Sequence, residues 1–407
     1  MVAALEGIRI LDLTTVLMGP SATQMLGDMG ADIIKVESLD GDTTRRTGYS
    51  RHSGMTAWFL NLNRGKRSLA IDLKAPQGRD AILRLAKTAD VLLYNIRPGA
   101  MKRLGLSYED VSAVNPSLLY VGALGFGRDG EYSDLPAYDD LIQAATGMPW
   151  LYRFAGGEKP RFVPTPIVDR LMGAHVAMNV LGGLQARVRT GRGQQIDVPM
   201  FETMASVMLG DQLSGATFDP PLGPWGYRRM LVPDRKPYPT RDGFVAALPY
   251  RDEQWKAFFA AVGRSDLYEG DPRFLTDAKR LENVNDLYAM VATLTPDRTT
   301  AEWLELFRKL DIAAMPVNSI EDVIGNRHLA DVGFLDVVEH PSEGRIVQMK
   351  PAASWSETPL EPGGPAPNLG EHTRQILSEA GFTREEIDAL GAAGVVKQWQ
   401  PASSQKP

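Results

Sequence analysis

Ile8-Arg9-Ile10-Leu11-Asp12-Leu13, then the amphipathic residues 21–29, then Asp32-Ile33-Ile34-Lys35-Val36: the chain opens on an apolar run, a helix-like stretch and a second apolar run. That succession is the unit of a parallel α/β sheet, because strands covered on both faces read as short continuous apolar runs. The rhythm continues with strands predicted at residues 68–72, 91–95 and 118–123 and helices at 77–88, 99–104 and 108–114. Where a strand, a helix and a parallel strand follow one another, the crossover is right-handed. A long, mostly apolar helix is predicted from Asp169 to about Val188. The turn Thr190-Gly191-Arg192-Gly193, a strand near 195–198 and a helix from Phe201 follow it.

The rhythm breaks in the Pro- and Gly-rich stretch 219–239, a composition that marks a connection between domains. Residues 1–215 are therefore read as a first domain and 216–330 as a smaller one, with a strand at 244–248 and helices at 252–262, 279–294 and 300–310. Residues 331–407 form a linker and a C-terminal part: a proline-rich region at 351–368, short helices at 371–380 and 384–390, and a tail after Lys397 expected to be disordered.

With 407 residues, 43% hydrophobic and 23% charged, the chain is long enough to bury a sizeable pocket and has a globular composition. A net charge of -6 and only short basic clusters give nothing to track a nucleic-acid backbone. The absence of cysteine excludes disulfides, thiolate catalysis and cysteine-held metals, and it fits a reducing, cytoplasmic setting. The five histidines have no zinc-like spacing, so no metal is expected. No run is apolar and long enough for a membrane span, and charges interrupt the N-terminal segment where a signal peptide would need an apolar core.

The chemistry points to Asp169, in Pro166-Ile167-Val168-Asp169-Arg170-Leu171-Met172-Gly173. A carboxylate in the first turn of a helix faces free backbone N–H groups and the positive end of the helix dipole, which favours its ionised, nucleophilic form. The other reading is an aspartate that only starts the helix. The run Gly122-Ala123-Leu124-Gly125-Phe126-Gly127-Arg128-Asp129-Gly130 is not a dinucleotide fingerprint, because Ser133, Asp134 and Pro136 intervene before the next helix. Its glycines either admit a ligand close to the backbone or simply turn the chain. No nucleophile elbow, Walker loop or H-E-x-x-H motif competes with the carboxylate.

Residues 19–37, from Gly19-Pro20-Ser21 to Lys35-Val36-Glu37, and Asn61-Leu62-Asn63-Arg64-Gly65-Lys66-Arg67-Ser68 are the strongest of four ordered blocks that resemble class III coenzyme A transferases of the CaiB/BaiF type. Asn95-Ile96-Arg97-Pro98-Gly99 and Arg189-Thr190-Gly191-Arg192-Gly193 complete them, and the resemblance covers nearly the whole chain. It implies a large domain with a Rossmann-like parallel sheet built from both chain ends, a smaller inserted α/β domain and an interlocked homodimer. It implies no permanently bound cofactor, CoA and acyl-CoA being substrates together with a free carboxylic acid. Asp169 matches the family's catalytic aspartate, which passes through aspartyl anhydride and aspartyl-CoA thioester intermediates. Leu17 and Met18 match positions that contact pantetheine and substrate, Ile71, Asp72, Leu73 and Lys74 the adenine and ribose segment, and Asn95, Ile96 and Arg97 the strand end beneath the nucleotide. Arg103 matches a cation for CoA phosphate; the alternative for Lys74 and Arg103 is that they are solvated helix charges. Ser38 stands where some relatives carry an arginine. Backbone N–H groups near Gly125 and Gly127 are expected to stabilise tetrahedral oxyanions.

Several departures narrow the substrate. The oxalate branch has a histidine and a glutamine where this chain has Thr15 and Leu17, and a tetraglycine loop where it has Tyr238-Pro239-Thr240-Arg241-Asp242-Gly243. A racemase branch has a histidine near Tyr138, and tyrosine is a poor base at neutral pH. Tyr138 and Asp139 either touch the thioester, orient Asp169 or merely begin a helix. Arg153, Arg161, Arg170, Arg228 and Arg229 suggest a second carboxylate on the substrate, with surface arginines as the alternative. A racemase and a catalytically silent CoA binder remain the rival readings.

Overall fold

The computed structural model describes residues 2–400, so the end of the tail expected to be disordered, residues 401–407, lies outside the described residues. The chain divides into two compact units. The first comprises Met1–Ile142, Thr165–Met204 and His328–Pro407, and the second Gln143–Pro164 and Ala205–Arg327.

The first unit is built on a seven-stranded sheet. Its strands are β1 (Arg9–Leu13), β2 (Asp32–Glu37), β3 (Lys66–Ile71), β4 (Val91–Tyr94), β5 (Leu119–Leu124) and β6 (Gln195–Pro199), joined at one edge by Val396–Lys397. From that edge the order runs Val396–Lys397, β3, β2, β1, β4, β5, β6. All neighbours are parallel except Val396–Lys397 on β3. This is the doubly wound order of the Rossmann fold, in which the chain builds outward from β1 in one direction and then from β4 in the other. Every residue of β4 and β5 is buried, as expected of strands covered on both faces. Ile376, Leu377, Ile387 and Val395 join Leu11, Ile34 and Leu92 in one core, so the C-terminal segment returns to this unit.

Two helices prepare the site. Helix α1 (Met18–Asp28) follows β1 directly; it starts three residues earlier than expected because Pro20, which lacks an N–H, is tolerated in a first turn. The long helix Ile167–Thr190 buries Val168, Met172, Val176, Val180 and Leu184, a stripe at four-residue spacing. It stops at Gly191, which takes the left-handed conformation (φ 68°) that favours glycine. Gly173 permits the two helices to touch. A Cβ there would lie 2.9 Å from the Ser21 Cβ and 3.1 Å from the Met18 carbonyl oxygen.

The second unit has a three-stranded antiparallel sheet in the order Tyr238–Pro239, Phe244–Leu248, Ala313–Pro316. Its core is aromatic, with Trp255, Phe258, Phe259, Trp303 and Phe307 all buried. The helix expected at 279–294 is interrupted at Asn283, giving Asp277–Glu282 and Val284–Leu294. In the first unit, Leu335–His340 and Gly344–Met349 pair as an antiparallel hairpin in a region given no strand from the sequence.

Candidate active site

Strand order reverses between β1 and β4, and in doubly wound sheets ligands bind outside the carboxyl ends of the strands at that reversal. A crevice of about 320 Å³ lies there. Leu17 and Met18 after β1, Asn95, Ile96 and Arg97 after β4, and Gly125 after β5 line it, with Tyr138 and Asp169.

The loop after β1 is held by side chains. The Thr14 N–H donates to Asp12 Oδ1 (3.0 Å), and the Thr14 carbonyl accepts from Lys35 Nζ (3.1 Å). Asn95 grips Thr15 twice: its Oδ1 accepts the Thr15 N–H (3.0 Å) and its Nδ2 donates to the Thr15 carbonyl (2.9 Å). The Val16 N–H is shared between the two oxygens of Asp42, at 3.3 and 3.2 Å. Val16 itself sits at φ 71°, an outlier for a β-branched residue.

Beneath this loop, β1, β2 and β3 bury a charged network. Asp12, Lys35, Glu37, Asp42, Arg45 and Lys66 are all nearly inaccessible. Lys66 Nζ reaches Asp12 (3.2 Å), Lys35 Nζ reaches Asp42 (2.9 Å), and Arg45 pairs with Glu37 (2.7 Å). Burial disfavours the charge on Asp12, but Lys66 and Lys35 outweigh it and hold the carboxyl below its ordinary range. Asp42 is likewise held low, with Lys35 and Thr44 overcoming its burial. On Lys66 burial prevails, bringing the ammonium down to about 8.

Asp169 is treated differently. It lies in the first turn of the long helix, and its backbone N–H donates to Asp139 Oδ2 (3.0 Å). Asp139 is itself 8% exposed. Burial first, then the negative charge of Asp139, pushes the Asp169 carboxyl up to about 6, with Arg170 opposing weakly. The expectation that the helix terminus eases ionisation of Asp169 is corrected: burial and a like charge raise its carboxyl above the ordinary range, though it still ionises below neutral pH. Arg170 Nη1 donates to Ser21 Oγ, at 3.4 Å.

The remaining expected residues are dispersed. Ile71 is fully buried in the core. Ser38, Asp72, Leu73 and Lys74 follow β2 and β3 on the same carboxyl edge but do not line the crevice. Ser38 and Lys74 are exposed, as is Arg103 at the end of the helix Pro98–Arg103. Gly127 lies outside the crevice and its N–H already donates to Glu202 (2.8 Å), which corrects the oxyanion role expected of it. Gly125 lines the crevice because nothing larger fits: a Cβ would come within 2.3 Å of Ala137. Of the arginines read as a carboxylate site, Arg170 alone belongs to the first unit. Arg153 stacks on Trp150 and Arg229 donates to the Tyr288 hydroxyl, both within the second. Among the described residues no group of three or more potential ligands stands ready for a metal, and no helix is long and apolar enough to cross a membrane.

Sequence reasoning missed Asp42 and the clamping function of Asn95. Asp42 carried a readable signal, since an aspartate before Thr43-Thr44 is a helix cap and its side chain does accept the Thr44 N–H (2.9 Å).

The fold and site define a doubly wound α/β protein with a carboxylate of raised pKa lining the crevice at its switch point. Comparison with known proteins makes the assignment specific. The model of CoA-transferase family III matches residues 5–373. An acyl-CoA transferase of Fusarium pseudograminearum is 33% identical, over 97% of this chain and 88% of its own length. The mouse succinyl-CoA:glutarate CoA-transferase is 31% identical, over 97% of this chain and 90% of its own. The structure of a CaiB/BaiF family protein from Brucella suis superposes with a TM-score of 0.78 at 28% identity, covering 93% of this chain and all of that one. The chain belongs to CoA-transferase family III, and the protein is a CoA transferase.

Proposed function

We propose that the protein moves CoA from an acyl-CoA to a free carboxylic acid, with Asp169 as covalent nucleophile. The Asp169 carboxylate attacks the donor thioester carbonyl, the C–S bond breaks, and an aspartyl anhydride and CoA thiolate result. The thiolate attacks the aspartyl carbonyl, releasing the donor acid and leaving an aspartyl-CoA thioester. The acceptor carboxylate displaces CoA to form a second anhydride. The thiolate then takes the acceptor's acyl group and frees Asp169. Each step exchanges bonds of similar energy, so no ATP is required.

The observation that carries this reading is a single carboxyl raised to about 6 and lining the switch-point crevice. It is ionised at neutral pH yet more basic than an ordinary aspartate, which suits attack on a thioester. Leu17, Met18 and Tyr138 are read as contacts for the pantetheine and acyl end, and Asn95, Ile96 and Arg97 as the strand end beneath the nucleotide. Asp72, Lys74 and Arg103 are read as contacts for the nucleotide, and the Gly125 N–H as an oxyanion donor. Four- or five-carbon diacids, with succinyl-CoA as donor, are the substrates supported by Arg170 and by the name of the mouse relative. Oxalate is disfavoured by Thr15, Leu17 and residues 238–243. A cytoplasmic, interlocked homodimer completes the proposal.

Purified protein incubated with succinyl-CoA and isotopically labelled acids, read by mass spectrometry, tests it. Labelled acyl-CoA is expected, at a rate reduced at least about 10⁴-fold by Asp169→Ala. Exchange that survives Asp169→Ala would overturn the nucleophile. α-Proton exchange in deuterated water without any acceptor acid would instead establish the racemase.

A further inference from the structure

We propose that Asp42 is a positioning residue for the reaction: it holds Val16 in the left-handed conformation that delivers Leu17 and Met18 to the crevice beside Asp169. This rests on the transfer chemistry proposed above.

The N–H groups of Thr14, Thr15 and Val16, in the loop joining β1 to α1, are all received by side chains. The loop's shape is set by Asp12 on Thr14, Asn95 on Thr15 and Asp42 on Val16. Of the three residues held, only Val16 is strained. A β-branched side chain at φ 71° is sterically disfavoured, so the loop left to itself relaxes to negative φ. Two consequences follow from the chain path. Leu17 and Met18 are the next residues, both nearly buried and both lining the crevice with Asp169. A change of φ at Val16 swings them, and a displacement of about 1 Å at a reacting centre can lower a rate by about a hundredfold.

Asp42 is equipped to prevent that change. It is 1% exposed, and besides Val16 it is fixed by Lys35 Nζ (2.9 Å), by the Thr44 N–H (2.9 Å) and by the Thr44 hydroxyl (2.9 Å). Its own N–H donates to Glu37 Oε1 (3.0 Å), tying it to the Glu37–Arg45 pair. The carboxylate that receives Val16 thus accepts three further hydrogen bonds, from Lys35 and Thr44, while its backbone is tied to Glu37, and both its oxygens face the Val16 N–H. Asp42 touches no crevice space and acts only through the loop.

The test is a double-mutant cycle on labelled CoA exchange. Glycine adopts positive φ without strain, so a chain carrying Val16→Gly no longer needs to be forced into the left-handed region. Asp42→Asn is expected to lower kcat/KM about thirtyfold in the wild-type background but less than about threefold in a chain that already carries Val16→Gly. Equal losses in both backgrounds overturn the proposal, because Asp42 would then act through Lys35 alone. Should Asp42→Asn fail to fold, Val16→Pro removes the same hydrogen bond and the positive φ while leaving Asp42 and Lys35 paired. A loss of at least about a hundredfold with the near-UV circular dichroism retained supports the proposal, and activity within about threefold of wild type overturns it.

If the wild-type protein exchanges no CoA, the functional reading fails separately. Positioning is then judged by carbodiimide labelling of Asp169. Labelling that rises in Asp42→Asn and returns to its Val16→Gly level in the double variant supports it, and no change overturns it.

Discussion

The buried network under β1–β3 and the crevice beside it handle the same group in opposite ways. Asp12 and Asp42 are deeper than Asp169, yet each faces a lysine and is held below the ordinary aspartate range. Asp169 is less buried but, among the described residues, forms no ion pair; its near neighbour is another carboxylate, and it is raised to about 6. Depth alone therefore does not decide how a carboxylate behaves. What decides it is whether the fold pairs it closely with a cation: Asp12 and Asp42 each meet a lysine, whereas at Asp169 burial and Asp139 outweigh the opposing charge of Arg170.

The largest expected effect strikes the scaffold. Asp12→Ala leaves Lys66 buried without its carboxylate and should lower unfolding free energy by ~3–5 kcal/mol in urea denaturation. A loss under about 1 kcal/mol would erase the contrast.

The next effect has the opposite sign. Asp169→Asn removes a charge that the folded state disfavours. Because the folded pKa is raised above the ordinary 3.8, the stability linked to this group is complete below about pH 4 and is lost as pH climbs through about 6. The variant should exceed wild type by ~3 kcal/mol at pH 8, from about two pKa units, and match it near pH 3.5. Thermal unfolding across that range checks both ends.

The smallest effect sharpens the cause. Asp139→Asn keeps an oxygen for the Asp169 N–H but deletes the negative charge, so the acid limb of the exchange-rate profile, expected near pH 6, should move down by about half a unit to one unit. An unmoved limb would assign the whole shift to burial.

The sheet was legible because buried parallel strands print themselves as apolar runs, and β1 to β6 fall within about two residues of where those runs stand. Asp169 was legible because a lone acid in the first turn of an apolar helix is conspicuous. Its pKa was not, since the opposing charge comes from Asp139, thirty residues away in sequence. Lys35, Lys66 and Arg45 were invisible as core residues: sequence pattern treats a lysine as a surface group, and only three-dimensional pairing makes its burial tolerable. The hairpin of residues 335–349 was missed for a related reason. Its strands carry only two-residue apolar runs, Val337-Val338 and Ile346-Val347, and are half exposed, so they lack the fully buried run that marks β4 and β5.

The strand Val396–Lys397 covers the outer edge of β3 with residues made long after β3 itself. During synthesis, β3 and the strands behind it emerge long before their edge is sealed. Until Val396 arrives, that edge offers unpaired N–H and C=O groups to any passing strand, so the newborn chain carries an exposed edge through the whole interval between the making of β3 and of its cover.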